Sequence, residues 1–174
     1  AIDVLLGNSI TNEKQHIFLR KVEEKDMRSV FELSNQNYVR CYSINKNIIQ
    51  WSDHISWFKS ILNDENVVFY VVTNENEEFL GQVRFKIDNQ SAIVSISLSE
   101  KLRGKGLSKS ILYQSIKNVF NEKEFLEDII AIVSEENTSS KKLFEGLNFR
   151  KVGNEDNMIK FILNRGDFYI NRTF

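Results

Sequence analysis

The chain has 174 residues, of which 41% are hydrophobic and 27% are charged, and its formal net charge is −1. This length and this apolar content fit one domain with a sizeable core. A nearly neutral chain without a long basic run lacks the positive surface that nucleic-acid phosphates require, so we expect no nucleic-acid partner.

Cysteine usage and apolar content bear on the compartment. Cys41 is the single cysteine, which excludes an internal disulfide framework and a thiolate metal cluster, and we predict no metal site. No apolar run approaches the ~20 residues of a membrane-spanning helix, and the first residues lack a charged segment followed by an apolar core. We therefore expect a cytoplasmic protein without a membrane partner.

The first residues are interpreted separately from the rest. Apolar residues between Ile2 and Leu6 precede Gly7, as in the last turn of a helix, and the sequence does not begin with methionine. We interpret residues 1–15 as an extension or as the remnant of a preceding domain, and residues 16–174 as the globular domain.

The spacing and the length of apolar runs then predict the strands and helices. In chain order these are a strand 16–22, a helix 25–34, a polar loop 35–50, a helix with Ser52 as its N-cap, strands 67–73, 78–87 and 92–99, a helix 107–120, a strand 127–133, and a helix from about 137 followed by a strand. The short polar turn 74–77 predicts that the strands on either side of it form a hairpin.

Two neighbouring strands each carry a polar face. Alternation places these polar side chains together: Gln82, Arg84 and Lys86 in one strand, and Ser95, Ser97 and Ser99 in the next. A solvent-exposed sheet face is the alternative. Because helices are predicted on both sides of the sheet, we favour the floor of a polar cleft.

A glycine-rich turn links the strand 92–99 to the helix that follows. Gly104 and Gly106 let backbone N–H groups approach an anion, and the start of the helix adds its positive dipole end. No Walker loop fits this turn, and Lys109 stands where a dinucleotide fingerprint needs its third glycine. The turn therefore predicts a phosphate site of another kind, unless it is an ordinary turn before a helix.

Residues 103–108 resemble the acetyl-CoA signature of the GNAT acetyltransferases, Arg/Gln-x-x-Gly-x-Gly/Ala, with Ser108 as a departure in the last position. Residues 137–149 are similar to a second block of that family, Asn-x-x-Ser/Ala-x-x-Leu-Tyr-x-x-x-Gly-Phe. The resemblance covers roughly residues 16–163. It implies the GNAT fold, a mixed α/β fold with a central splayed mixed sheet of about seven strands and helices on both faces.

The resemblance also implies an N-acetyltransferase with acetyl-CoA as donor, held in the splay between the fourth and fifth strands, here 92–99 and 127–133. The residues that would bind the donor are Leu98, Ser99, Arg103, Gly104, Lys105, Gly106, Leu107, Ser108, Asn137, Ser140 and Phe144. An N–H near Leu98 would polarise the thioester carbonyl. Phe144 replaces a tyrosine that the family uses to protonate the departing thiolate; a thiol of pKa about 8–9 leaves readily, so this loss need not abolish transfer.

The sequence identifies the residues that would transfer protons less clearly than the residues that would bind the donor. The candidates for the base are Glu100, Glu135, Glu136 and His54, of which we select Glu100 and His54 as catalytic. The alternative is that each glutamate is a solvated charge and that His54 is structural. A weakly basic sugar amine could also react with a water chain and no strong base.

The segments 38–40, 54–58 and 81–85 resemble PseH-like enzymes, which acetylate nucleotide-linked amino sugars for surface glycans. This resemblance implies that Arg40, His54, Arg84 and Ser97 face the acceptor, and that an upstream nucleotide-sugar enzyme is fused or associated. Arg40 and Arg84 could instead be surface ion-pair partners. Acetylation of a protein N-terminus or of a polyamine, and a non-catalytic acyl-CoA-binding module, remain alternatives.

Overall fold

A computed structural model describes residues 9–12 and 15–170 of the chain. The strands are β1 (Ser9–Asn12), β2 (Gln15–Lys21), β3 (Val67–Thr73), β4 (Phe79–Asp88), β5 (Ser91–Leu98), β6 (Asp128–Ser134), β7 (Arg150–Glu155) and β8 (Met158–Asn164). The helices are α1 (Met27–Ser34), α2 (Asn37–Arg40), α3 (Trp51–Leu62), α4 (Leu107–Glu122), α5 (Thr138–Gly146) and α6 (Arg165–Ile170). Two 3-10 turns, Glu24–Asp26 and Glu100–Leu102, precede α1 and follow β5.

The described strands form one mixed sheet in the order β1-β2-β3-β4-β5-β6-β8-β7. This confirms the mixed α/β fold, with eight strands rather than about seven. The hairpin of β3 and β4 is antiparallel, as predicted. Within the described ranges, no helix has the length and apolar composition needed to cross a membrane.

The strand β1 lies before residue 16 and pairs with β2 from Ser9–Phe18 to Asn12–Gln15. Periodicity did not predict it because it is only four residues long and mostly polar. The helix predicted for residues 1–6 lies outside the described residues. The division into an extension 1–15 and a domain 16–174 stays a prediction.

Two local predictions in the segment 35–62 were wrong. The predicted loop contains the short helix α2, and Ser52 does not cap α3, because that helix already begins at Trp51 and Gln50 holds the cap position without a side-chain bond. The Trp51 ring meets the Phe31 ring edge-on, with centroids 4.9 Å apart. This contact with α1 is long-range, so local capping signals did not reveal the start of the helix.

The two faces of the sheet are covered by different helices. On one face, the stripe of α4 that includes Ile111, Ile116 and Phe120 is fully buried in the main apolar cluster. On the other face, α1 and α3 bury Val30 and Phe58 against Phe69 of β3. The helices therefore stand on both faces, as expected, and the polar residues of β4 lie on the α3 side.

The splay of the sheet lies between β5 and β6. These strands run parallel and pair only from Ser91–Asp128 to Ile93–Ile130, whereas β5 continues to Leu98 and β6 continues to Ser134. The far half of β5 therefore has a free edge. On its other side it stays close to β4 because Gly81 has no Cβ, which would lie 2.6 Å from Leu98 Cδ2.

Candidate active site

A cleft of about 1250 Å³ opens at the splay and extends to α2 and α3. Pockets for one small ligand typically enclose ~300–1,000 Å³, so this volume has room for two substrates. The predicted site residues that line it are Arg40, His54, Arg84, Ser97, Leu98, Arg103, Gly104, Gly106, Ser108, Asn137, Ser140 and Phe144. The cleft thus brings together residues from both sequence motifs and from the predicted acceptor segments.

Four predicted residues do not line the cleft. Ser99 is engaged elsewhere, with its N–H on the Leu80 carbonyl at 2.8 Å and its hydroxyl accepting from the Lys101 N–H. Leu107 has its side chain in the core, so only its backbone could face an anion. Lys105 and Glu100 are exposed beside the turn.

The glycines of the turn are required by backbone conformation. Gly104 and Gly106 both have φ of +69°, in the left-handed region, and a Cβ on either would meet nothing within 4 Å. The need for glycine is therefore conformational rather than steric. Gly106 is the N-cap of α4, so the unsatisfied N–H groups of the first helical turn adjoin the cleft.

Arg103 connects this turn to the acceptor side of the cleft. Its guanidinium carbon lies 4.0 Å from the centroid of the Tyr38 ring, a cation–π contact between the turn and α2. Burial raises the pKa of the Tyr38 phenol, against opposing effects of a hydrogen bond with the Glu100 backbone and of Arg103. Tyr38 lines the cleft but was not among the predicted site residues.

Asn137 places α5 at the opposite wall. Its Oδ1 accepts the Ser140 N–H at 3.1 Å, which makes it the N-cap of the helix. Within the described residues its Nδ2 group makes no hydrogen bond. Asn137 therefore combines a structural cap with a free amide at the cleft wall.

Arg40 has a structural role that the sequence did not reveal. Nε donates to the Ser34 carbonyl at 2.7 Å, Nη1 donates to the Asn45 and Asn47 carbonyls, and Nη2 donates to Ser43 Oγ at 2.9 Å. Four of its five N–H donors are thus used to fold the loop after α2. Arg40 borders the cleft, but the structure does not show the surface ion pair that was its alternative.

Arg84 stands in contrast to Arg40. Its guanidinium lies over the rings of Trp57 and Phe69, at 4.9 and 5.9 Å from their centroids. Within the described residues it makes no hydrogen bond and no ion pair. Burial lowers the pKa of this half-buried side chain.

His54 is a core histidine. Its side chain is 1% exposed, Nε2 lies 2.8 Å from the Met27 carbonyl, and four aromatic rings surround the imidazole. Burial lowers its pKa, and the hydrogen bond to Met27 opposes that shift. This geometry favours the structural alternative over the predicted catalytic and acceptor-binding roles, because Nε2 is occupied and the ring is enclosed.

The glutamates considered as bases lie outside the cleft. Glu100 and Glu136 are exposed, and Glu135 Oε1 accepts from Asn154 Nδ2 at 3.1 Å. Asp53, in the first turn of α3, is the only carboxylate among the described residues that line the cleft. Sequence reasoning missed it because nothing local distinguishes it from other exposed acids.

A family model described as an acetyltransferase (GNAT) domain matches residues 16–150. The chain belongs to the GNAT acetyltransferase family. Acetyl-CoA is the acetyl donor of this family, so the domain is an N-acetyltransferase domain that uses acetyl-CoA.

Two curated relatives match the GNAT chain in different ways. YwnH of Bacillus subtilis, whose name assigns it provisionally as a phosphinothricin acetyltransferase, is 27% identical over 145 residues, which is 78% of this chain and 85% of that protein. The iron–sulfur cluster assembly protein SufB of Plasmodium falciparum is 29% identical over 97 residues. That second match spans 55% of this chain but 19% of the longer relative.

Solved GNAT-like structures superpose over most of the domain. A spermidine N-acetyltransferase of Vibrio cholerae, in complex with CoA and spermine, has a TM-score of 0.81 at 19% identity and covers 88% of this chain and 98% of that one. A domain from Methanocaldococcus jannaschii has a TM-score of 0.76 at 23% identity, and the match covers 87% of this chain and 99% of that one. At these identities the similarity shows the fold alone.

In this GNAT domain, Phe144 replaces a possible proton donor with an apolar wall. The side chain is 3% exposed and meets the Phe149 ring edge-on at 5.1 Å, and it also lines the cleft. A tyrosine here would need a partner for its hydroxyl among these rings. Phe144 itself carries no group that could protonate a thiolate.

The environment of His54 predicts how the stability of the GNAT domain depends on pH. A histidine whose pKa is lowered in the folded state contributes stability above its ordinary pKa of about 6.5, and this contribution is lost as pH falls. We expect the free energy of unfolding to fall between about pH 7 and 5, and His54→Gln to flatten this dependence in denaturant titrations.

His16 supplies the control for that measurement. Its side chain is 53% exposed, so His16→Gln makes the same substitution outside the core and leaves the rings around His54 in place. Turnover near neutral pH separates the two roles of His54. A His54→Gln variant that is folded but has lost activity by orders of magnitude would restore the catalytic assignment.

Proposed function

We propose that the chain transfers the acetyl group of acetyl-CoA to the primary amine of a small-molecule acceptor, by direct attack in a ternary complex. The observation that carries this proposal is one continuous cleft, which joins the glycine turn, the free edge of β5 and the polar face of β4. Donor and acceptor can therefore meet at the end of β5 without a covalent enzyme intermediate.

Three features of the chain fit the donor. The N–H groups around Gly104 and Gly106, with the start of α4, suit a pyrophosphate. The edge of β5 beyond Ile93 offers unpaired backbone groups to the amides of the pantetheine arm, as an added strand does. Asn137 adds a free Nδ2 group at the opposite wall.

Acetyl-CoA supplies a thioester whose sulfur is a good leaving group. An N–H near Leu98 stabilises the charge that develops on the thioester oxygen. The lone pair of the neutral acceptor amine attacks the carbonyl carbon, the carbon–sulfur bond breaks, and the amine gives up a proton. Asp53 is the lining carboxylate that can accept this proton through water.

For the acceptor we propose a nucleotide-linked amino-deoxy sugar, used in surface glycan biosynthesis. The resemblance of residues 38–40, 54–58 and 81–85 to PseH-like enzymes supports this choice. The charge of the cleft supports it as well, because Arg40, Arg84 and Arg103 line it, and Asp53 is the one carboxylate among the described lining residues. A positive lining suits an acceptor with phosphate groups.

Polyamine acetylation is the second candidate. The observation in its favour is the fold similarity to spermidine N-acetyltransferases of Vibrio cholerae. A polyamine would bring several ammonium groups into a cleft that has more positive than negative lining residues. Electrostatics therefore favours the sugar nucleotide.

The test is release of CoA thiol from acetyl-CoA with UDP-4-amino-dideoxy sugars, spermidine and short peptides. We expect turnover with the sugar nucleotides to exceed turnover with spermidine by at least tenfold in kcat/KM. Turnover with spermidine or peptide alone would overturn the sugar assignment and leave the acetyltransferase assignment intact. Binding of acetyl-CoA without turnover of any acceptor would favour the non-catalytic module.

A further inference from the structure

Arg84 differs from the other arginines that are partly buried in this domain. Arg20 forms a bidentate pair with Asp26, and Arg165 donates to three backbone carbonyls near the end of α4. Arg40 donates to four neutral oxygens. The guanidinium of Arg84 contacts only the faces of aromatic rings. No other described residue forms an ion pair with it or accepts a hydrogen bond from it.

A half-buried guanidinium gives up some of its hydrogen bonds to water, and no described residue replaces them. The rings of Trp57 and Phe69 compensate for part of that cost through cation–π contact. Contact with the ring faces leaves the in-plane N–H groups of the guanidinium free, and these are the groups that donate to anions. The side chain lines the cleft, so these donors are accessible to a ligand there.

The neighbours of Arg84 extend the same donor surface. In the β4–β5 pairing Arg84 lies opposite Ser95, and Gln82 lies opposite Ser97, so these side chains project from one face. All four residues line the cleft. Serine hydroxyls can donate beside the guanidinium, and a guanidinium pairs with two oxygens of a phosphate or carboxylate at once.

We propose that Arg84, with the hydroxyl of Ser95, forms a subsite for an anionic group that belongs to the acceptor. This inference rests on the proposed acetyl transfer and names the chemistry that selects its acceptor. The ligand is a primary amine that also carries a phosphate, as a sugar 1-phosphate or a sugar nucleotide does.

Register along the sheet sets the spacing between the amine and the anion. The thioester is expected near the Leu98 N–H, and Ser95, the partner of Arg84, lies three residues earlier in β5. At ~3.3 Å per residue the two backbone positions are about 10 Å apart. The α-carboxylate of an amino acid lies too close to its own amine to span this gap. A phosphate on the far side of a sugar ring is far enough from the amine to span it.

The test compares Arg84→Met with the wild type on matched acceptors: a free 4-amino-4-deoxyhexose, its 1-phosphate and its UDP derivative. Methionine keeps apolar contact with Trp57 and Phe69 and removes the charge. We expect KM for both phosphorylated acceptors to rise about tenfold, with KM for acetyl-CoA and for the free sugar unchanged. Arg150→Met, on the exposed strand β7 and outside the cleft, is the matched control.

If Arg84→Met and wild type prefer the phosphorylated acceptors over the free sugar to the same extent, the subsite is refuted. Calorimetry with the aminohexose 1-phosphate separates this outcome from failure of the proposed function. Binding to wild type that is lost in Arg84→Met, without any turnover, keeps the subsite and refutes the acetylation of that acceptor. Absence of binding to wild type refutes the subsite, and a larger effect on the UDP derivative than on the 1-phosphate identifies the diphosphate as the anion.

The stability of Arg84→Met provides an independent readout. Replacing an unpaired, half-buried charge with an apolar side chain should leave the thermal midpoint unchanged or raise it. A clear fall in the midpoint would show that Arg84 has a structural partner, and would count against the subsite.

Discussion

Replacing Arg103 with glutamate should raise the dissociation constant of acetyl-CoA about a hundredfold. In the proposed donor site the turn around Gly104 and Gly106 offers backbone N–H groups to a pyrophosphate, and Arg103 adds a positive charge at its edge. A charge-assisted hydrogen bond contributes about 1.5–3 kcal/mol, and a carboxylate at this place adds repulsion. A loss of about 2.7 kcal/mol corresponds to two orders of magnitude in affinity.

Isothermal calorimetry with acetyl-CoA measures this effect directly. Arg150→Glu makes the same change of charge on the exposed strand β7 and should alter the affinity less than twofold at moderate salt. Arg103→Lys should fall between the two variants, because lysine keeps the charge and loses the planar fork. Equal affinities of Arg103→Glu and wild type would refute the phosphate assignment of the turn.

Replacing Asp26 with alanine should lower the free energy of unfolding by about 3 kcal/mol. The carboxylate is 4% exposed and accepts from both Nη atoms of Arg20, at 2.7 and 2.8 Å, and from the Glu23 N–H at 2.8 Å. The hydrogen bond to Asp26 is the main reason that the pKa of Arg20 is raised. Without Asp26, an arginine whose side chain is only 24% exposed loses its bidentate partner.

Urea denaturation of Asp26→Ala and Glu32→Ala makes the comparison. Glu32 pairs with Arg28 on the surface of α1 at 3.4 Å, and removal of such an exposed pair should cost less than ~0.5 kcal/mol. Asp26 lies outside the cleft, so acetyl-CoA affinity of the folded Asp26→Ala variant should match wild type. Similar stabilities of the two variants would contradict the assigned role of the Arg20–Asp26 pair.

The elements that carry strong local signals were predictable from the sequence. Strand β3 was predicted with its observed bounds, and α4 begins at Leu107 as predicted, because a continuous apolar run and a helical periodicity are local properties. The helix α5 also begins directly after Asn137, where the second motif predicts a helix start. These features depend on a few neighbouring residues.

The roles of several single side chains depend on contacts that are distant in sequence. His54 bonds to a carbonyl 27 residues away, and Arg40 folds a loop whose course the composition does not specify. Tyr38 was identified as a site residue only from the structure, by its position in the cleft and its contact with Arg103. Periodicity indicates which face a residue occupies, but it does not identify the partner that decides whether a polar group is structural or free.

The short pairing between β5 and β6 divides the described sheet into two leaves. One leaf contains β1 to β5, the other contains β6, β8 and β7, and within the sheet three residue pairs join them. Beyond those pairs the two leaves are joined by side chains, because both contribute to the main apolar cluster beneath α4. A donor seated in the splay would add contacts to both leaves, so we expect its binding to raise the free energy of unfolding of the domain as the donor concentration rises above its dissociation constant.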